Sequence, residues 1–184
     1  FTVNAMAIEL TTPTPEFIDP HNGVTDLLKK SLRTPSTPEL SFSDDPLRML
    51  RAARFAAQLG FTIEESVISA MRAMADRLSI ISAERIRDEF IKTLMSDNPR
   101  AGITILVDTG LCEKFLPEIP KLRLEIDEHH HHKDVYEHTL TVVEQSMALE
   151  ERLGGPNLVA RLAALMHDIG KPKTRALISG GGVS

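Results

Sequence analysis

"FSDDPLRMLRAARF", residues 42–55, decides how this chain is read. Two aspartates stand directly before a proline, and arginines follow at steps of three: Arg48, Arg51 and Arg54. Asp45 is a good N-cap, Pro46 suits the first helical position, and Gly60 closes the run as a C-terminal glycine. The stretch therefore predicts a helix. On it Asp45 and Arg48, three apart, are neighbours. Two readings stay open. In the plainer one Asp45 only caps the helix, its charge suits the positive end of the helix dipole, and the arginines face water. In the other, a carboxylate that accepts and a guanidinium that donates together match a base edge carrying an amino group and a ring acceptor. Cytosine and adenine have such edges. Arg51 and Arg54 would then meet phosphates.

Downstream the pattern stays helical. Residues 63–75 predict a second helix. Ser82 caps a third, whose Ile86, Phe90 and Leu94 recur at steps of four, the spacing of one buried face. Residues 101–109 make a fourth, closed by Gly110. "LCEKFLPEIP" is a short helical turn stopped by proline. A helix then runs over residues 134–152, and "GGPN" leads to a last one over 157–169, with Gly170 past its end. Upstream, residues 1–10 are dense in apolar side chains and read as a buried strand. "FIDPHNG" is a turn, residues 25–31 a short helix, and "RTPSTPEL" a proline-rich link. The expected fold class is mainly α, with no internal repeat.

The chain has 184 residues, 42% hydrophobic and 26% charged, which is ordinary globular composition. Its single cysteine, Cys112, has no internal partner, so a reducing, cytoplasmic setting is expected. No apolar run approaches the about 20 residues of a membrane span. A formal charge of −5 argues against a whole-surface nucleic-acid binder but leaves room for a local basic groove. The sequence opens on "FTVNAMAIEL" without methionine and stops at "ISGGGVS", so both ends read as cut from a longer protein.

"FTVNAMA", "DPHNGVTDL", "DDPLRMLRAARFAAQLGF" and "SAERIRDEF", in this order, resemble the class II nucleotidyltransferases, the bacterial CCA-adding enzymes and poly(A) polymerases. The resemblance implies three segments. Residues 1–38 would be the end of an α/β nucleotidyltransferase head, 39–125 a helical neck and body that reads nucleotide and binds RNA, and 126–184 the start of an HD domain. Asp45 and Arg48 would form the family's protein template for CTP or ATP, with Asp44 standing where the family carries Glu. Arg51 and Arg54 would support nucleotide or its triphosphate. Asn4 would lie near the triphosphate; the plainer reading is a buried strand Asn satisfied by backbone. Asp19, Gly23 and Asp26 match a D-x-x-x-G-x-x-D turn linking head and neck, against a simple Asn-Gly turn. Glu84 and Arg85 would brace the template helix.

The implied activity is addition of C and A, from CTP and ATP, to tRNA 3′ ends. Two Mg²⁺ ions would be held by head carboxylates upstream of Phe1, so this chain alone is expected not to transfer nucleotides. Incorporation of labelled CTP by it would refute that. A poly(A) polymerase, a CC-only or A-only enzyme, and a helical RNA-binding module without chemistry remain as alternatives.

Seven histidines raise a separate question. His129–His132 read as a polar loop. His138 lies near the stripe of Val135, Val142 and Leu149, beside a second stripe of Tyr136, Leu140, Val143 and Met147. On the last helix Leu158, Leu162, Leu165 and Ile169 make the expected core stripe, and His167 points away from it among small alanines. His138, His167 and Asp168 on two facing helices form a plausible divalent-metal site, against a core His oriented by a carboxylate. "VYEHT" followed by "LMHDIGKP" resembles the HD phosphohydrolase domain, in which H…HD…D holds a metal that activates water against phosphate esters. The last Asp of that set would lie beyond Ser184. The reading from a different class is thus a metal-dependent phosphohydrolase.

Overall fold

The computed structural model describes residues 1–11, 13–124, 135–174, 177–178 and 182–183. They divide into two compact units, Phe1–Leu111 and Cys112–Ser184. Both are mainly helical, as the periodicity predicts.

The first unit is organised around α3, Leu47–Leu59. Its Leu47, Met49, Leu50, Ala52, Ala53, Ala56 and Ala57 are buried. Four alanines on that face let neighbouring backbones come close. α5 (Ala83–Leu94) and α6 (Pro99–Asp108) pack there. At the α6 crossing, a Cβ on Gly102 would stand 2.4 Å from Thr93 Cγ2 and 2.9 Å from Ala57 Cβ, so only glycine fits. Gly60 ends α3 in the left-handed conformation, and Gly110 takes φ +74 after α6, both as expected.

Two expectations upstream fail. Residues 1–10 are not a buried strand. Thr2–Asn4 form a 3-10 turn, and β1 (Ala7–Glu9) pairs antiparallel with β2 (Glu16–Ile18) as an exposed ribbon. Ile8 is 59% and Leu10 80% exposed. Apolar density without a period does not say which way side chains point. "RTPSTPEL" is not all link either, because Pro38–Asp44 form a helix, α2. Thr37 caps it, Oγ1 accepting from the Leu40 N–H at 3.3 Å, and Pro38 is its first residue. A Thr-Pro pair marks a helix start as well as a break.

Between these lie α1 (Gly23–Lys29) and β3 (Ser31–Leu32), the latter paired parallel with β4 (Thr62–Ile63). That pairing delays the helix expected from residue 63. α4 runs Glu65–Met74 and continues as a 3-10 turn, Ala75–Ile80.

The second unit opens with a 3-10 turn, Cys112–Lys114, and a four-residue α7, Glu118–Lys121. Pro120 lies inside α7 rather than stopping it, because a first-turn residue has no intrahelical N–H bond to lose. α8 (Val135–Ala148) packs against α9 (Leu158–Met166), followed by α10 (Lys171–Thr174) and a two-residue pair, β5 (Leu177–Ile178) with β6 (Gly182–Val183). Tyr136, Leu140 and Val143 are buried as predicted. Of the stripe predicted on α9 only Leu165 is fully buried. Its neighbours Ala164 and Arg161 join it.

Arg161 is buried because Glu150 meets it through both oxygens, Nε to Oε1 at 2.7 Å and Nη2 to Oε2 at 2.8 Å. Glu150 sits on the 3-10 turn Glu150–Leu153 that replaces the end of the expected long helix. Among the described residues no helix is long and apolar enough to cross a membrane.

Candidate functional site

The first site is built on the corner between α2 and α3. The ring of Pro46 forbids helical backbone at the residue before it. Asp45 is accordingly extended, with φ −148 and ψ 97, and α2 ends there. Pro46 is already helical in φ and ψ. This turns the Asp45 carboxylate back over the new helix, where Oδ1 accepts the Leu47 N–H at 3.2 Å. Asp45 thus holds the first amide of α3 from one residue before the N-cap, and Pro46 takes the N-cap position in place of the first helical position expected of it. Arg85, from α5, brings Nη2 to 3.6 Å of the same oxygen.

Arg48 starts from the next turn and runs back to the end of α2. Its Nη1 donates to the Ser41 carbonyl at 3.1 Å and to Ser41 Oγ at 3.0 Å, and lies 3.9 Å from Asp44 Oδ2. The last carbonyls of a helix carry partial negative charge, so a guanidinium suits them. The two side chains thus share a corner but have different holders. Among the described residues both side-chain contacts of Asp45 fall on Oδ1, and Arg48 stays 39% exposed. Asp45 thus keeps an acceptor oxygen and Arg48 a partly exposed guanidinium, both at the α2–α3 corner.

The other two arginines do not simply face water. Arg54 Nε donates to Glu89 Oε2 at 2.6 Å and Nη1 to Gln58 Oε1 at 2.8 Å, and its guanidinium stacks over the Phe55 ring at 4.2 Å. Its side chain is only 15% exposed. Arg51 Nε lies 3.6 Å from Glu89 Oε1 while 42% of its side chain remains in solvent. Glu89 is buried on α5, so one carboxylate holds two arginines of α3. The sequence reading missed Glu89. It stands beside Phe90 and three residues after Ile86, at the edge of the buried stripe, which was the available signal. Glu84, by contrast, is exposed at the start of α5. Its carboxyl is held below the usual range by its own backbone N–H and then by the Ser82 hydroxyl. Arg85 reaches Asp45 at the corner before α3, and Glu89 reaches α3 itself.

The opening turn is fastened nearby. Phe1 meets Phe55 edge to face at 5.7 Å, and Asn4 is exposed rather than a buried strand residue. Asp26 is buried, accepting from Thr2 Oγ1 at 2.6 Å and Arg33 Nε at 3.1 Å. Asp19 accepts the Gly23 N–H at 2.6 Å and the Val24 N–H at 3.0 Å, capping α1. These amides, Val24 first, hold its carboxyl below the usual range. A Cβ on Gly23 would fall 2.4 Å from the Thr2 carbonyl. Asp19, Gly23 and Asp26 thus make more than an Asn-Gly turn: they lock Thr2–Asn4 onto α1.

In the second unit, α8 and the end of α9 bring His138, His167 and Asp168 together, their ligand atoms all within 4.8 Å of one another. The two imidazoles meet edge to face at 5.4 Å. His167 Nδ1 is 2.7 Å from the Ala164 carbonyl, which can only accept, so Nδ1 carries a proton. In the neutral ring Nε2 then presents a lone pair, 3.1 Å from Asp168 Oδ2. Either a proton on Nε2, giving an imidazolium–carboxylate pair, or a shared metal ion satisfies this contact. Two imidazoles and a carboxylate with ligand atoms within 4.8 Å of one another are a donor set that fits a divalent metal. Among the described residues this is the only three-residue cluster of that kind; Asp44 and Asp45, beside Arg48 and Arg85, do not make one, and the two Mg²⁺ of nucleotide transfer are not assigned to them. His129–His132 lie outside the described residues.

Residues 60–122 match the family model described as a probable RNA and SrmB-binding site of polymerase A, and residues 135–179 match the HD domain. In these two segments the chain is similar to a polymerase-A-type RNA-binding region and to an HD domain. The chain is 39% identical over 180 residues to the multifunctional CCA protein of Psychromonas ingrahamii, covering 94% of this chain and 41% of that protein. It is 37% identical over 181 residues to the A-adding tRNA nucleotidyltransferase of Deinococcus radiodurans, covering 96% and 40%. Among solved structures, a CCA-adding enzyme in complex with CTP superposes with a TM-score of 0.67 at 25% identity, over 93% of this chain and 38% of that one. The similarity to the multifunctional CCA protein and the A-adding enzyme runs along nearly the whole chain, which spans about two fifths of their length.

Proposed function

We propose that this chain is the nucleotide-reading and RNA-contacting part of a cytoplasmic tRNA nucleotidyltransferase that adds C and A to tRNA 3′ ends, taking CTP, ATP and tRNA. The observation that carries the reading is the corner at Asp45 and Arg48. The Asp45 carboxylate accepts from the amino group of cytosine or adenine, and Arg48 donates to the ring nitrogen beside it. Uracil and guanine present the opposite order and are rejected. Ser41 and Arg85 hold the two readers in place. Arg51, half exposed on the same helix, meets the triphosphate, and Arg54 keeps Glu89 and thereby α5 against α3. Asn4 lies on the opening turn that Asp26 fastens, on the nucleotide side. In this reading residues 1–38 end the catalytic head, 39–125 form neck and body, and 126–184 begin the HD domain. The names of the relatives support tRNA as the acceptor.

The test is nucleotide selectivity. Asp45→Ala and Arg48→Ala are expected to cut the preference for CTP and ATP over UTP and GTP about tenfold or more, since one good base contact is worth roughly 1–3 kcal/mol. Binding of all four nucleotides, and incorporation on tRNA lacking its 3′ end by the full-length protein, measure it. Unchanged selectivity would sink the reading in favour of an RNA-binding module without chemistry. Incorporation products separate CCA from CC-only, A-only and poly(A) addition.

A second activity is favoured by the His138–His167–Asp168 cluster. A divalent cation held there would supply Lewis-acid assistance to phosphate-ester hydrolysis. Assay of phosphate monoesters and 2′,3′-cyclic phosphates with Mn²⁺, Ni²⁺ or Mg²⁺ tests this. Loss on His167→Ala supports it, and no activity above background removes it.

A further inference from the structure

Asp168 does not stand alone with the two histidines. Lys171, one turn on at the start of α10, brings Nζ to 2.9 Å of Asp168 Oδ2, the same oxygen that faces His167 Nε2 at 3.1 Å. The carboxylate is 14% exposed and the ammonium 38%. The contact is therefore partly shielded from solvent, where an ion pair keeps more of its strength than at an open surface. A metal that takes Oδ2 must share or displace this ammonium.

We propose that Lys171 is a resident counter-cation of the cluster, which balances Asp168 in the metal-free protein and gives up its contact when a divalent ion enters. It rests on reading His138, His167 and Asp168 as a cation site. Lys171 lowers the affinity of that site and keeps Asp168 ordered before the ion arrives. Its effect is one of contact, not of general charge. Lys173, two residues along α10 and exposed, carries the same charge without that contact being required of it.

The experiment titrates Mn²⁺ into the protein, following binding by electron paramagnetic resonance and calorimetry, with unfolding curves to verify that each variant is folded. Lys171→Met is expected to tighten Mn²⁺ roughly five- to tenfold, the scale of losing one partly shielded competing ion pair. Lys171→Arg, which keeps the charge, should stay within about twofold of wild type, as should Lys173→Met. Equal tightening by Lys171→Met and Lys173→Met would reduce Lys171 to general electrostatics and overturn the proposal. So would unchanged or weaker binding by a folded Lys171→Met protein. His167→Ala separates the two levels: absence of saturable, His167-dependent Mn²⁺ binding in wild type removes the cation site itself. Binding that depends on His167 but not on Lys171 removes only the inference drawn from it.

Discussion

Arg54 Nε donates to Glu89 Oε2 at 2.6 Å, and this contact ties α5 to the helix that carries the candidate readers. The carboxylate is 5% exposed and also faces Arg51 at 3.6 Å and Lys92 at 3.7 Å. Removing Glu89 would leave Arg54 shielded and without its main counter-charge. Glu89→Ala is expected to lower stability by about 2–3 kcal/mol, somewhat under the ~3–5 kcal/mol of a fully buried pair because Arg54 keeps some exposure. Urea unfolding measures it. A change below about 0.5 kcal/mol would mean the contact is not what joins α5 to α3.

A pH dependence follows from Glu150. Hydrogen bonds from Arg161, then the Asn157 N–H, hold its carboxyl below the usual range despite burial. A depressed carboxyl binds its proton less readily folded than unfolded. Its stabilisation is therefore fully present above the ordinary carboxylate value and is lost as pH falls through the depressed one. Melting temperature of the second unit should fall between about pH 5 and pH 3, and Glu150→Gln should flatten that decline. An equal decline in the variant assigns the effect to other groups.

Cys112 is buried, and burial pushes its thiol up to about 12, helped by Glu113 and Glu118. The thiolate is the reactive form. Native protein at pH 8 is expected to resist a disulfide reagent, with full reaction in denaturant. Because the unfolded thiol ionises first, its contribution to stability is present at neutral pH and declines as pH rises above about 9. Rapid labelling of the native protein would contradict this burial.

Gly23→Ala tests the lock on the opening turn. The new Cβ would fall 2.4 Å from the Thr2 carbonyl and 2.9 Å from Met6 Cγ. A cost of about 1–3 kcal/mol is expected, with earlier proteolysis of the opening residues. Gly60 has nothing near a Cβ, and only its φ of +65 opposes substitution. Gly60→Asn should therefore be the milder change.

Much of this was legible in the residues. Asp45 and Pro46 determined where α3 begins, and Gly60 where it ends, because capping and left-handed glycine are local effects within a few residues. The stripe of α5 and the Tyr136, Leu140 and Val143 stripe of α8 declared their buried faces by period, whereas Leu149 of the other expected α8 stripe is 49% exposed. His138 and the His167–Asp168 pair could be joined because two helical faces predicted which sides would meet. Local chemistry also misled: Thr37-Pro38 reads equally as link and helix start, and the apolar residues 1–10 carry no period to show that β1 is exposed.

What only the tertiary structure decided is partnership. Glu89, Arg161 and Asp26 are charged, and by composition alone each belongs at the surface. Each is buried because a cation or carboxylate lying 35, 11 and 7 residues away in the chain meets it. The sequence alone determined α3, α5 and α6 and named Asp45 and Arg48 as a pair, but not α2. That Ser41 holds one and Arg85 the other depends on how α2, α3 and α5 cross. Burying a charge is unfavourable unless its counter-charge arrives with it, and that meeting is a property of the packed chain, not of any stretch of it.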